Sequence, residues 1–155
     1  MSEGPAAGDK APDFDLPTED GRVSLAGLKG KSVVLYFYPK DDTSGCTLEA
    51  KGFTDRAADF AAADTVVVGV SKDSVRSHCR FRDKHGLAVL LLSDEAGALT
   101  DGLGFWVEKS MYGRKYMGIE RATLLVDRDG TVLRVWRNVK VPGHVDEVLA
   151  AARAA

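Results

Sequence analysis

Runs of apolar, β-rich residues alternate along the chain with stretches whose apolar positions recur every three or four residues. Phe14 and Leu16, then Val23 and Leu25 beyond Glu19-Asp20-Gly21, predict a short hairpin closed by a polar turn. Residues 33–38 (VVLYFY) form a continuous apolar run, the pattern of a strand buried on both faces, and Pro39 stops it. From residue 43 to about residue 63 the period becomes helical, with Leu48, Phe53, Ala57 and Phe60 on one stripe. Residues 65–70 (TVVVGV) read as a second buried strand. Ser74 then opens a helix to about His85, with Gly86 as its C-cap. Residues 87–92 predict a third strand, and a short helix follows over 95–101. Residues 102–120 are glycine-rich, aromatic and without a clear period, so they read as a structured loop. Residues 121–127 (RATLLVD) and 131–136 (TVLRVW) flank Arg128-Asp129-Gly130, a strong hairpin signal. A helix over 143–154 closes the chain.

This order is strand–helix–strand–helix–strand, then a hairpin and a helix. It predicts an α/β fold with a mixed central sheet flanked by helices and an N-terminal hairpin extension. That is the thioredoxin-like architecture. A flavodoxin-like parallel sheet competes, but the late hairpin breaks the strict alternation such a sheet needs. With 155 residues the expectation is one domain over 8–155, preceded by a flexible tail over 1–7. No repeat, low-complexity segment or linker interrupts it.

Composition narrows the function classes. The apolar fraction of 45% and charged fraction of 28% are ordinary for a globular chain. A net charge of −2 gives no basic footprint for nucleic acid or an anionic membrane. There is no run of about 18 apolar residues to span a bilayer. The start, MSEGPAAGDKAPDF, lacks the basic and apolar regions of a secretory signal, so the expected location is the cytoplasm. No dinucleotide fingerprint, phosphate loop or flavin motif is present, so no cofactor is implied. Cys46, Cys79, His78, His85 and His144 show no zinc-site spacing, so no metal is expected, and the histidines read as solvated or capping residues.

Two cysteines are too few for a disulfide scaffold. Each is either a small buried hydrophobe or a reactive thiol. Cys46 has the more informative context. A buried strand ends at Pro39, a polar turn follows, and Cys46 falls in the first turn of the next helix. Ligand sites in α/β sheets lie at the carboxyl ends of strands. A helix start offers free N–H groups and a positive dipole end, which favour a thiolate and can hold an oxygen of an incoming anion or peroxide. Thr43, three residues earlier, can put its hydroxyl into the same pocket. Singly, each residue also has a plain structural reading: Pro39 ends a strand, Thr43 or Ser44 caps a helix, Cys46 fills a core, and Glu49 completes a capping box. No Cys-x-x-Cys pair of a disulfide oxidoreductase surrounds Cys46.

Pro39, Thr43 and Cys46 fit the Pro-x-x-x-Thr/Ser-x-x-Cys pattern of the peroxiredoxins. The segment YFYPKDDTSGCTLEAKGF resembles the Q-type subfamily, also called bacterioferritin comigratory protein. The likeness continues through GVSKDSVRSHCRF, LLSD, EKSMYGRKYMGIERATLLVD and KVPGHVDEVL, so it covers most of the chain from about residue 8. The resemblance implies a thiol peroxidase acting on hydrogen peroxide and organic hydroperoxides. Cys46 would attack the peroxide and become a sulfenic acid, Thr43 would hydrogen-bond the substrate, and Pro39 would shield the product. It also implies an arginine beside the sulfur, and the matching position is Arg121. Charge alone does not separate Arg121 from Arg114, Arg134 or Arg137, and a surface ion pair is its plain reading. Many relatives carry a resolving cysteine five residues after the nucleophile, where this chain has Lys51. Others place it in the next helix, where Cys79 lies. The resemblance thus implies an intramolecular Cys46–Cys79 disulfide, thioredoxin as reductant and a monomer. Three alternatives stay open: Cys79 as core filler in a one-cysteine enzyme, a peroxide sensor without turnover, and a binding module that only keeps the fold.

Overall fold

The computed structural model describes residues 4–155. Its centre is a five-stranded sheet in the order β5-β4-β3-β8-β9, built from β3 (Ser32–Phe37), β4 (Thr65–Ser71), β5 (Leu90–Ser93), β8 (Ala122–Val126) and β9 (Val132–Trp136). β3 runs parallel to β4, and β4 to β5, whereas β8 is antiparallel to both β3 and β9. The sheet is therefore mixed, as the pattern required. Parallel neighbours need a covered crossover. α1 (Ser44–Asp55) and α2 (Ala57–Ala62) supply it between β3 and β4, and α3 (Val75–His85) between β4 and β5. β1 (Asp15–Thr18) and β2 (Gly21–Ser24) form the N-terminal hairpin, while α4 (Ala98–Gly102) and α5 (His144–Ala154) complete the helices.

All six residues of β3 are buried because both faces of the sheet are covered. Its side chains alternate between two cores. Val33, Leu35 and Phe37 pack with Phe14, Leu99, Phe105 and Ile119 on one face. Val34 and Tyr36, with Tyr38 just beyond the strand, pack with Phe53, Phe60, Phe81 and Val148 under the helices on the other. Cys46 belongs to this second core.

Three predicted elements differ in detail. The single helix expected over 43–63 is two, broken at Arg56, whose backbone (φ −102°, ψ 11°) leaves the helical region and whose amide turns back to Phe53 O. The third strand begins at Leu90 rather than residue 87. The expected loop over 102–120 contains an antiparallel pair, β6 (Trp106–Met111) and β7 (Arg114–Ile119), separate from the main sheet. Most of its residues are exposed, so no alternation of buried and polar positions marks it. Its two-residue turn places both Tyr112 (φ 52°) and Gly113 (φ 78°) in the left-handed region. Gly113 adopts that conformation freely, and it gives the primed turn that suits a tight hairpin.

Of the segment read as a flexible tail, residues 1–3 lie outside the described residues. Ala6 N–H donates to Asp9 Oδ2, and Gly8 N–H donates to Val132 O at 2.8 Å. No helix among the described residues is long and apolar enough to cross a membrane.

Candidate active site

The site forms where β3 ends and α1 begins. Thr43 stands at the N-cap with extended backbone (φ −92°, ψ 157°), and its carbonyl accepts the Thr47 amide. Its hydroxyl makes no capping bond; it donates instead to Lys40 O at 2.9 Å. The first-turn amides of α1 are thus not closed off by a cap, so the positive end of the helix stays available to an anion. Thr43 is exposed and Pro39 half-buried, whereas Cys46 is only 1% exposed. The side chain of Cys46 thus packs in a core while one edge of its sulfur faces a cation.

That cation is Arg121, just before β8, whose Nη2 donates to Cys46 Sγ at 3.4 Å. Among the arginines left open by the sequence, Arg134 and Arg137 pair elsewhere, with Glu147 and Glu120. The antiparallel register of β8 against β3 pairs Ala122 with Phe37, which brings the residue before Ala122 to the carboxyl end of β3. Gly45 makes room for the contact: a Cβ there would stand 3.1 Å from Arg121 Nη2.

Sequence reasoning missed the role of Glu49, which it read as part of a helix cap. It completes no capping box. It is fully buried, and its Oε1 accepts from Arg121 Nη1 at 2.6 Å. Arg121 is therefore held in a fork between Glu49 and Cys46, one nitrogen to each. Glu49 Oε2 has no hydrogen-bond partner, and burial pushes the carboxyl up to about 7, with Arg121 pulling the other way. Burial likewise raises the nearby Tyr36 phenol well above its ordinary range, with the charges of Glu49 and Cys46 acting in the same direction. The signal for Glu49 was its spacing: three residues after Cys46 on a helix, it shares that residue's face. Lys109 on β6 was also missed. Partial burial and the charge of Arg121 hold it below the usual lysine range while Cys46 acts oppositely, so it lies within electrostatic reach of the thiol.

The structure does not bring Cys79 to this site. Both thiols are free. Cys79 is half-buried in a small recess with Thr18, Glu19, Arg82 and Leu91, and Arg82 forms an ion pair with Glu19 across it. The histidines also depart from expectation. His78 and His144 are buried; His85 pairs with Asp42. His144 Nε2 lies 2.8 Å from Thr123 Oγ1, and burial pushes its ring down to about 4. Asp41, Asp73 and His78 have potential ligand atoms within 4.8 Å of one another. Each is already engaged by hydrogen bonds: Tyr38 and Ser77 on Asp41, Ser71 on Asp73, and Leu92 O on His78.

A thiol at the start of a helix, at the carboxyl end of a sheet strand and in contact with an arginine held by a buried carboxylate, marks a cysteine-centred site on a thioredoxin-like fold. Comparison with known proteins gives the class a family. Residues 7–135 match the AhpC/TSA family. Peroxiredoxin Bcp of Bacillus subtilis is 48% identical over 143 residues, 92% of this chain and 91% of that protein. The structure of Xanthomonas campestris peroxiredoxin Q superimposes with a TM-score of 0.86 at 42% identity, covering 99% of this chain and 96% of the other. A cysteine-to-serine variant of Xylella fastidiosa PrxQ gives 0.92 at 34% identity, covering 99% and 98%. The chain belongs to the AhpC/TSA family and, within it, to the peroxiredoxins of the Bcp or Q type. It is a thiol peroxidase with cysteine chemistry, which needs a peroxide substrate and a thiol reductant.

Proposed function

We propose that Cys46 is the thiol this peroxidase oxidises and that Thr43, Arg121 and Pro39 serve it. The observation that carries the assignment is the 3.4 Å bond from Arg121 to Cys46 Sγ at an uncapped helix start. The thiolate attacks the terminal peroxide oxygen. An S–O bond forms, the O–O bond breaks, and the leaving oxygen departs as water or an alcohol once it has taken up a proton. Charge moves from sulfur to oxygen during the attack, and the guanidinium, already in place, stabilises it without reorganisation. The Thr43 proton is committed to Lys40 O, so the hydroxyl oxygen is free to accept from the peroxide O–H. Pro39, half-buried where β3 gives way to the site turn, screens the nascent sulfenic acid. The 42%-identical X. campestris bacterioferritin comigratory protein has alkyl peroxide reduction activity. That supports organic hydroperoxides beside hydrogen peroxide as substrates here.

Cys79 completes the cycle in this reading: it closes an intramolecular disulfide that thioredoxin, or a similar dithiol, reduces in the cytoplasm, with the enzyme acting as a monomer. In two X. campestris structures one or other of two cysteines is replaced by serine, and those two lie about one helical turn further apart in sequence than Cys46 and Cys79. Arg82, one turn after Cys79, lines the same recess, so a thiol at either position shares one face of α3. The one-cysteine reading has the position of Cys79 in that recess in its favour. Peroxide consumption coupled to thioredoxin, with intact mass of the oxidised protein, tests all of this. Cys46→Ser should fall to background, because a hydroxyl stays protonated where a thiol ionises. Many equivalents of peroxide consumed per protein separate an enzyme from a sensor. Wild type should lose both free thiols, whereas a stable sulfenic acid with normal turnover of Cys79→Ser would establish the one-cysteine mechanism.

A further inference from the structure

The turn that delivers Cys46 is tied to α3 by side-chain bonds. Asp41, 7% exposed, is its anchor. Asp41 Oδ1 accepts from Tyr38 Oη at 2.6 Å, while Oδ2 accepts from Ser77 Oγ at 2.7 Å and lies 2.7 Å from His78 Nδ1. The other ring nitrogen of His78 lies 2.9 Å from Leu92 O, which can only accept. Both nitrogens of His78 thus face oxygen acceptors, and the ring bridges the turn to β5. The Asp41 amide donates to Asp73 Oδ2 at 2.8 Å, an oxygen that also takes the Ser71 hydroxyl at 2.7 Å. At the surface the next residue repeats the theme. Asp42, held at φ 59°, pairs with Lys84 at 2.7 Å and His85 at 2.8 Å. Ser77, His78, Lys84 and His85 all belong to α3, the helix that carries Cys79.

We propose that Asp41 and His78, with Ser77, are positioning residues that clamp the Pro39–Thr43 turn onto α3, and that releasing this clamp sets the rate at which Cys46 is resolved. The inference rests on the two-cysteine reading above. His78 and Cys79 are consecutive residues. His78 reaches Asp41 and Leu92 O through its two ring nitrogens and also lines, with Cys79, Thr18 and Glu19, the recess beside them. The Cys79 sulfur therefore leaves that recess for Cys46 only if the start of α3 turns, and turning it pulls His78 from Asp41. The same separation frees Lys40 to Thr43 and the N-cap of α1. In the resolving step the Cys79 thiolate attacks Cys46 sulfenic sulfur. The S–S bond forms, the S–O bond breaks, and the hydroxyl leaves as water with the proton that Cys79 gave up. The clamped state is the one that reduces peroxide, because it holds Arg121, Gly45 and Cys46 together. A tighter clamp therefore prolongs the life of the sulfenic acid and favours its second oxidation by peroxide to sulfinic acid.

Ser77→Ala tests this with little risk to folding, since it deletes one hydroxyl and fills no space. Losing a hydrogen bond to a charged group should speed disulfide formation roughly tenfold. Rapid-quench mass analysis should show the peroxide concentration giving half sulfinic acid rising by about the same factor. The first oxidation of Cys46, which the clamped state carries out, should slow by far less than disulfide formation speeds up. Lys84→Ala, which weakens only the surface pair of Asp42, should move both readouts the same way by less. Thr100→Val removes a buried hydroxyl from Asp94 on the other face of the sheet, and it should move neither. Equal acceleration in Thr100→Val would overturn the proposal, because the effect would then be general loosening. In a Cys79→Ser background, amide hydrogen exchange over residues 41–46 reads the clamp without any resolution. It should accelerate on adding Ser77→Ala. If wild type forms no Cys46–Cys79 disulfide, the two-cysteine reading fails and the clamp's role in resolution with it. Unchanged exchange over 41–46 overturns the clamp itself, whatever Cys79 does.

Discussion

Replacing Arg121 by glutamine removes the cation that touches the sulfur while keeping a side chain able to donate to Glu49. Two unit charges at the observed 3.4 Å attract by ~1 kcal/mol in bulk water and by ~5 kcal/mol at an effective dielectric of about 20. Cys46 is 1% exposed and the Arg121 side chain 16%, so water screening alone does not decide the value. Glu49 does. Without its arginine a fully buried carboxylate takes a proton rather than stay charged, and this removes an anion from the neighbourhood of the sulfur. Part of the loss is thereby returned, so the net loss of attraction is smaller than the arginine's Coulomb contribution alone. The assay is iodoacetamide alkylation of Cys46 across pH, in a Cys79→Ser background so that one thiol reports. The half-maximal pH should rise in Arg121→Gln, and the first oxidation by peroxide should slow by about 100- to 1,000-fold. Adding Glu49→Gln to Arg121→Gln should change the midpoint little, since Glu49 is already neutral. An alkylation profile identical to that of the parent would refute Arg121 as the cation that favours the thiolate.

Thr43→Val should slow the first oxidation of Cys46 by about 100- to 1,000-fold in stopped-flow measurements while leaving the alkylation profile in place, because the hydroxyl contacts the peroxide rather than the thiol. Gly45→Ala brings a methyl within 3.1 Å of Arg121 Nη2 and must displace the guanidinium by a few tenths of an ångström, so oxidation should slow by less than about tenfold with thermal stability kept or raised. Glu49 makes stability depend on pH: burial raises its folded-state value to about 7 from an ordinary 4.5, so the native state binds the extra proton more tightly than the unfolded chain does. This contribution is complete below about 4.5 and is lost as pH rises towards 7, by at most about 3 kcal/mol, and urea midpoints should show Glu49→Gln flattening that slope.

Most of the fold was legible because β3 and β4 are long apolar runs and α3 carries its own signals, Ser74 at the N-cap and Gly86 at the C-cap. The pair β6–β7 was not, because its side chains lie largely in solvent and a strand exposed on both sides leaves no period-two contrast to read. The site divides in the same way. Cys46, Thr43 and Pro39 lie close in sequence and were found from local context. Arg121 arrives through strand pairing seventy-five residues away, and charge alone could not distinguish it from other arginines. Glu49 was visible but misassigned, because a carboxylate near a helix start suits a cap as well as a buried partner. What decides for the partner is the arginine, and its position follows from the β3–β8 register alone.

The packing of α1 limits how far any opening at this site can spread. Ala50 and Phe53 are almost wholly inaccessible, and Phe53 stacks on Tyr36 with ring centres 4.7 Å apart and meets Phe60 at 5.7 Å. Freeing those side chains would expose three aromatic faces and cost several kcal/mol. The first turn is different. Thr43, Ser44 and Leu48 are exposed, so Cys46 is the one side chain before Glu49 that the core would lose. Opening that stops before Glu49 therefore exposes a single thiol and parts Cys46 from Arg121, a small fraction of the helix's burial. The arginine itself stays where strand pairing put it, bonded through its backbone carbonyl to Val139. A thiol held at the lightly packed end of a helix, against a cation fixed on the sheet, suits the proposed cycle: enclosed for attack on peroxide, released for attack by a second thiol. Enclosure needs no further movement, and release needs only the start of α3 to turn with it.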